Sequence, residues 1–196
     1  MDNECGGDIM SNKVSKLWDF CETLHSNLLE DYNKVSSIYN NARKYTKYIA
    51  NLMKKLQVVN NEQLSKYYPE YFTIDHTWWE TNKPKKTNKS VNLYDWKLTM
   101  AVEHENDVMD WTYEVEKLDS IKANLKIVIG YLPNKIRENE EEIIAEQCKY
   151  LKHADEGEMF ALILMNCDLE ENSADPFGMN CYILHKDGPE RIELKK

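Results

Sequence analysis

Residues 94–105 read YDWKLTMAVEHE, and this stretch predicts a half-buried strand. Its apolar residues Leu98, Met100 and Val102 stand two apart, which is the period of a strand with one face on a core. The earlier stretch 72–80, FTIDHTWWE, is rich in aromatic and β-branched residues and predicts a second strand. We expect the two strands to be adjacent and antiparallel, joined by a long basic connection.

Beyond residue 105 the chain predicts helices that alternate with strands. The predicted helices cover 107–122 and 135–152, and the predicted strands cover 125–131, 160–165, 179–186 and 191–194. Residues 125–131, LKIVIGY, are apolar without alternation, as in a strand buried on both faces. We therefore predict an α/β (α+β) fold, with a mixed central sheet flanked by helices and residues 125–131 beside 94–105.

The N-terminal part of the chain predicts a long helical segment. Residues 14–57 contain neither Pro nor Gly, and apolar side chains recur every seven residues at Val14, Cys21, Leu28, Val35, Ala42, Ile49 and Leu56. A single long helix fits this pattern, and so does a helical hairpin that turns near residues 30–33 and 36–37. A single helix would outrun a small core, so we expect a homodimer through this coiled-coil-like segment.

Three regions follow from these patterns. We predict a mobile tail at residues 1–12, an N-terminal helical segment at 13–58 and an α/β core at 59–196. The N-terminus has no basic region followed by an apolar one, and no apolar run is long enough to span a membrane. The five cysteines are odd in number and form no CxxC pair, which argues against disulfides and zinc fingers. We therefore expect a cytoplasmic protein with reduced cysteines and no membrane partner.

The charge of the chain is unevenly distributed. Its 196 residues carry a net charge of -9, yet residues 34–97 hold 12 of the 25 Lys and Arg against 5 acids. Four lysines lie in the polar loop of residues 82–90, namely Lys83, Lys85, Lys86 and Lys89. They are candidates for contact with nucleic-acid phosphates, although a solvated hairpin tip would have the same composition.

Three acids at strand positions are the candidate site. The sequence lacks the P-loop, Rossmann, nucleophile-elbow and HExxH motifs, while Asp75, Glu103 and Glu105 lie on or beside predicted strands. Alternation places Glu103 and Glu105 on one face and the side chain of His104 on the other. A carboxylate inside a strand is costly to bury unless it is paired or bound to a metal, and paired carboxylates suit Mg²⁺. The competing interpretation is a set of salt bridges at a sheet edge.

The order of these residues resembles the PD-(D/E)XK nuclease superfamily, which has the restriction-endonuclease-like fold. That family carries an Asp on its second core strand and a Glu-x-Lys on its third, followed by a helix and a buried fourth strand. In this chain Asp75 matches the Asp and Glu103 matches the motif Glu. The resemblance covers residues 70–131, and the elements after it are compatible with the same fold.

Two positions depart from the family pattern. Ile74 stands where the motif has Pro, a change that the family often tolerates, and Glu105 stands where it has Lys. A minority of restriction endonucleases resemble this chain in having Glu there. Other members carry the Lys on a neighbouring element, for which Lys117 and Lys126 are both candidates. A third possibility is that the site has lost its activity.

The resemblance implies a metal-dependent endonuclease. The implied reaction is hydrolysis of phosphodiester bonds in nucleic acid, with DNA as the expected form, and with Mg²⁺ or Mn²⁺ as cofactor. Asp75 and Glu103 would hold the metal, helped by the backbone carbonyl of His104. Glu105 would bind or deprotonate the attacking water, and Lys117 would complete the catalytic set. The alternative is a catalytically inactive nuclease-fold protein that acts as a binding or assembly module through its N-terminal helix.

Overall fold

A computed structural model of the chain describes residues 5–56, 64–71, 73–81, 96–106, 111–153, 157–166 and 176–193. The helices are α1 (Cys5–Glu30), α2 (Tyr32–Ile38), α3 (Ala42–Lys55), α4 (Thr112–Asp119) and α5 (Glu140–Cys148), with a 3-10 helix at Asn134–Asn139. The strands are β1 (Leu64–Tyr71), β2 (Ile74–Thr81), β3 (Lys97–His104), β4 (Leu125–Leu132), β5 (Met159–Asn166), β6 (Met179–His185) and β7 (Gly188–Ile192). Of the helices within these ranges, none combines the length and apolar character needed to cross a membrane.

The strands form one seven-stranded mixed sheet in the order of the sequence. Strands β1, β2 and β3 are antiparallel neighbours, β3, β4 and β5 are parallel, and β5, β6 and β7 are antiparallel again. Parallel neighbours need a crossover, which α4 supplies between β3 and β4 and α5 supplies between β4 and β5. The predicted mixed sheet, the antiparallel pair of β2 and β3, and the position of β4 beside β3 are all confirmed.

Each face of the sheet carries its own core. We call α1, α2 and α3 the helical layer and the sheet face beneath them the helical face. The buried cluster on that face contains Val102, Ile127 and Ile163, together with the buried apolar side chains of the helical layer. Helices α4 and α5 cover the opposite side, which we call the α4–α5 face, where Val128 and Leu162 are buried. The sheet is thus the middle of three layers, and successive residues of its strands face different layers.

The N-terminal segment is not the single long helix; it breaks within residues 30–33, where the helical hairpin was predicted to turn. The chain leaves α1 at Asp31 and breaks again at residues 39–41, where Asn41 caps α3 by accepting from the backbone amide of Lys44 at 3.1 Å. Leu28 and Val35 of the seven-residue repeat are buried against the sheet of the same chain, whereas Ala42 of the same repeat is exposed. The reason for expecting a homodimer therefore disappears, and the homodimer stays a prediction without that support.

The predicted boundaries at the N-terminus also change. Helix α1 begins at Cys5, so residues 5–12, which were predicted as a tail, are helical. Residues 1–4 lie outside the described residues, as does the predicted boundary between residues 58 and 59. The described parts of the helical segment and of the α/β core share one hydrophobic cluster.

Two strands differ from the sequence-based prediction. Strand β1 lies outside the predicted strands, and it contains Pro69. Proline is compatible with an edge strand, and among the strands that the structure describes β1 pairs only with β2. At the other end, β7 begins at Gly188 rather than Arg191, because the turn closes at residues 186–187 and Gly188 adopts a φ of 142°.

Strand β3 contains an irregularity that moves one predicted core residue. Trp78 pairs with Met100 and Trp79 pairs with Leu98, so β3 holds one extra residue at Thr99. Such a bulge breaks the alternation of side chains. Leu98 accordingly packs against the cluster on the α4–α5 face, and not with Met100 on the helical face as predicted.

Candidate functional site

Asp75 and Glu103 are brought together by the antiparallel pairing of β2 and β3. Asp75 is the second residue of β2 and Glu103 is the next-to-last residue of β3, and the register places His76 opposite Val102. The start of β2 therefore lies beside the end of β3. The Oδ2 atom of Asp75 accepts a hydrogen bond of 2.9 Å from the backbone amide of His104. The predicted proximity of these two acids is what this register produces.

Lys117 joins the pair from helix α4. Its Nζ atom lies 2.9 Å from Oε1 of Glu103 and donates a hydrogen bond of 3.2 Å to the carbonyl oxygen of Thr73. The Lys117 side chain is 18% exposed, whereas that of Glu103 is 2% exposed. Thr73 lies in the turn before β2 and has a φ of 66°. The lysine thus reaches inward from the surface to a buried carboxyl group, as long amphipathic side chains do.

Glu103 has an unusual proton affinity. Burial raises the pKa of its carboxyl group, the nearby carboxylate of Asp75 raises it further, and the contact with Lys117 lowers it, leaving a value of about 7. Burial disfavours the charged form of a carboxyl group, and an adjacent cation favours that form. The group therefore exchanges its proton near neutral pH, which suits a residue that takes part in acid–base chemistry or cation binding.

Lys126, the other lysine considered as a replacement, lies elsewhere. Its side chain is 2% exposed and its Nζ atom forms an ion pair of 2.7 Å with Glu158. It also donates to the carbonyl oxygen of Asp119 at 3.4 Å. Lys117, and not Lys126, is therefore the lysine that contacts Glu103. Both follow β3 in sequence, and only the tertiary position of α4 distinguishes them.

Glu105 lies just beyond the last residue of β3. Its backbone amide donates a hydrogen bond of 2.9 Å to the carbonyl oxygen of Ile129, and its side chain is half-buried. Because the strand ends at His104, strand alternation no longer fixes the direction of the Glu105 side chain. Its assignment as the residue that acts on water stays a prediction.

The side chain of His104 points away from the acids, into the helical face. Its Nε2 atom lies 2.6 Å from the Tyr131 hydroxyl, which donates to the Tyr45 hydroxyl at 2.9 Å. Burial, with a smaller effect of His76, lowers the pKa of His104 to about 3. The imidazole is therefore neutral and structural, and only the backbone carbonyl of His104 can serve the predicted metal set.

Asp75 and Glu103 are compatible with a Mg²⁺ ion that takes few of its ligands from the protein. In the part of the chain that the structure describes, no group of three or more His, Cys, Asp or Glu side chains could hold a metal ion. Asp75 and Glu103 supply two carboxyl groups, and each is already in contact with a polar neighbour. Mg²⁺ commonly binds through one or two carboxylates and keeps several water molecules, so this donor set is compatible with it.

The lysines predicted to contact nucleic acid belong to the chain between β2 and β3. Lys83, Lys85, Lys86 and Lys89 all fall within residues 82–95, outside the described residues. The sequence pattern also missed the carbonyl group of Thr73, which helps to position Lys117. No motif marks such a backbone contact.

Comparisons of the chain with protein-family models, with curated proteins and with solved structures give no match. The functional interpretation therefore rests on the arrangement of Asp75, Glu103 and Lys117.

Proposed function

We propose that the chain is a Mg²⁺-dependent nuclease of the PD-(D/E)XK type, which hydrolyses phosphodiester bonds in nucleic acid. The observation that carries the proposal is the contact of Lys117 with Glu103 beside Asp75. Two acids and one lysine from three separate elements meet at one end of β3. A cluster of this composition, with one strongly shifted pKa, is a candidate for catalysis.

The order of the elements supports the same proposal. Asp75 lies on β2 and Glu103 on β3, and α4 leads to the buried strand β4. This order resembles the family pattern given above, in which a helix and a buried strand follow the Glu-x-Lys strand. The main departure is that the lysine comes from α4, while Glu105 occupies its usual place after Glu103.

Each residue of the cluster would have a distinct role. Asp75 and Glu103, with the backbone carbonyl of His104, would hold the metal, which lowers the pKa of bound water and stabilises developing negative charge. Lys117 favours the ionised form of Glu103, which metal binding requires, and offers positive charge to a phosphate group. Glu105, at the end of β3, would accept the proton of the attacking water.

A second candidate function is that of a non-catalytic binding or assembly module. The observation in its favour is that Lys117 neutralises a Glu103 side chain that is only 2% exposed, as in a structural salt bridge. The N-terminal helices give this alternative less support than expected. Their buried apolar side chains already pack on the sheet of the same chain.

A cleavage assay with matched variants tests the proposal. We expect labelled DNA or RNA to be cleaved with Mg²⁺ or Mn²⁺, and Asp75→Asn, Glu103→Gln and Lys117→Met to reduce the rate by roughly a hundredfold or more. Glu116→Gln is the control, because Glu116 precedes Lys117 on α4 and its pair with Lys152 is exposed. Cleavage that survives Glu103→Gln, or no cleavage with either metal, would overturn the proposal.

Metal binding can be measured separately from cleavage. A divalent cation that binds only the folded protein stabilises it by about 2.7 kcal/mol at a hundredfold excess over Kd. We expect Mn²⁺ to raise the melting temperature of the wild type and of Glu116→Gln, but not of Glu103→Gln. The absence of any metal-dependent shift in the wild type would favour the binding module.

A further inference from the structure

A basic pocket opens between the three helices of the helical layer. It has a volume of about 280 Å³ and lies between the end of α1, helix α2 and one side of α3. Four lysines line it: Lys34, Lys44, Lys47 and Lys55. Three of them lie on α3 at spacings of three and eight residues, which puts their side chains on one side of that helix. This pocket is therefore a product of the break between α2 and α3.

The pocket has a built polar wall as well as charge. The Tyr48 hydroxyl donates to Oδ2 of Asp31 at 3.1 Å, and the same oxygen lies 3.2 Å from Nζ of Lys34. The Lys34 ammonium also lies 4.8 Å from the centre of the Tyr48 ring. The contacts with Lys34 and Tyr48 hold the pKa of the Asp31 carboxyl group below its usual value. One carboxylate thus orients one of the four lysines and offsets a single charge.

The other three lysines leave the pocket positive. Within the described residues, no ion pair involves Lys44, Lys47 or Lys55. All three are exposed, and Lys55 acts on Asp31 only through its longer-range charge. Four ammonium groups against one carboxylate give a local excess of three positive charges, in a chain whose net charge is -9. Such a concentration of like charge in a concave site is relieved by an anion.

We propose that this pocket binds the phosphate groups of a ligand with two or more linked phosphates. Lysines bind phosphate as point charges, and several ammonium groups around one cleft suit an extended anion better than a single carboxylate. The volume is at the lower end for small-molecule sites, which suits an oligophosphate or the phosphate part of a nucleotide. The buried side chain of Leu52 and the ring of Tyr48 add apolar surface beside the charges.

The same chemistry could come from a free nucleotide or from the backbone of a nucleic acid. The pocket belongs to the helical layer, whereas Glu103 and Lys117 lie toward the α4–α5 face. This site therefore does not depend on the proposed nuclease activity. The test uses three probes, which are inorganic triphosphate, ATP and a single-stranded oligonucleotide, with adenosine as the uncharged control.

Calorimetric titration of the full chain with these probes tests the site. We expect inorganic triphosphate and ATP to bind and adenosine not to bind. The double variant Lys44→Gln/Lys47→Gln should weaken triphosphate binding by roughly tenfold or more, because two charge-assisted contacts are lost. If the oligonucleotide binds more tightly than ATP and loses affinity in the same variant, the backbone of a nucleic acid is the source of the phosphates.

The control removes the same charge from the same helix. Arg43→Gln/Lys54→Gln changes two exposed α3 residues that do not line the pocket, so binding should be unchanged. All four substituted side chains are exposed, so both variants should unfold at the wild-type denaturant concentration. The site would be refuted if no phosphate probe bound the wild type, or if the two double variants lost affinity equally. Equal losses would mean that only the overall charge matters.

Discussion

The two faces of the sheet handle buried polar groups in different ways, and neighbouring residues of β3 show it. Glu103 and His104 are 2% and 6% exposed, respectively. On the α4–α5 face, Glu103 meets Lys117, whose side chain reaches in from the surface. On the helical face, His104 meets Tyr131, which is itself buried and in turn contacts the buried Tyr45. The side chain of Lys117 can move away from Glu103 without disturbing a core, whereas the side chain of Tyr131 cannot move away from His104.

Burial has the same effect on both groups and opposite consequences near neutral pH. It favours the neutral form, so it raises the pKa of Glu103 to about 7 and lowers the pKa of His104 to about 3. His104 is therefore neutral throughout the physiological range, while Glu103 changes charge within it. This contrast is why the proposed chemistry is placed at the end of β3 beside Lys117 and not on the helical face.

The largest expected effect concerns the histidines of the helical face at low pH. Burial lowers the pKa of His76 to about 4 and that of His104 to about 3, whereas each is near 6.5 in the unfolded chain. Below pH 6.5 the unfolded chain binds more protons than the folded chain. The contribution of these two histidines to stability is therefore fully present above pH 6.5 and is lost as the pH falls. The loss at pH 4 is on the order of 3 kcal/mol for each imidazole.

Denaturant unfolding between pH 7 and pH 4 measures this effect. The variant His104→Gln should lose less stability over that range than the wild type, whatever its stability at pH 7. His153→Gln, at an exposed position, is the control and should keep the wild-type dependence. Equal pH dependence in wild type and His104→Gln would contradict the assignment of a buried neutral imidazole.

A smaller effect is expected when the hydroxyl group of Tyr131 is removed. Tyr131→Phe leaves His104 and Tyr45 without their shared partner, which should cost about 1–3 kcal/mol. The cost should be the same at pH 7 and pH 8.5, because none of these three groups changes charge there. Tyr113→Phe is the control, since Tyr113 is 65% exposed and its change should fall within about 0.5 kcal/mol. A negligible cost for Tyr131→Phe would remove the distinction between the two faces.

The sequence predicted those parts of the fold and site that depend on local pattern. The dense apolar run at 125–131 identified β4, and the strands around Asp75 and Glu103 placed these acids side by side. The choice between Lys117 and Lys126 could not be made, because it depends on how α4 packs against the sheet. The seven-residue repeat continues across Asn41, so it gave no sign that the helix breaks there. Asn is a common helix N-cap, and Asn41 could have predicted the start of α3.

The pair on the α4–α5 face gives a further test, because two variants of it should act in opposite directions. Because the pKa of Glu103 is raised from 4.5 to about 7, its contribution to stability is complete below pH 4.5 and is lost as the pH rises through 7. Glu103→Gln removes that loss and should stabilise the protein at pH 8 by up to about 3 kcal/mol. Lys117→Met removes the cation and should destabilise it by about 1 kcal/mol, because the carboxyl group can take up a proton instead.

At pH 5 both variants should lie close to the wild type, since Glu103 is then protonated in the folded chain. Urea unfolding at pH 5 and pH 8 measures the difference, with the exposed pair as control through Glu116→Gln and Lys152→Met. A purely structural salt bridge predicts another result: loss of Glu103 would then destabilise the protein at both pH values. That outcome would make the two faces of the sheet alike and would favour the binding module. A gain in stability confined to pH 8 would mean that the fold keeps Glu103 at a cost, as expected of a residue retained for catalysis.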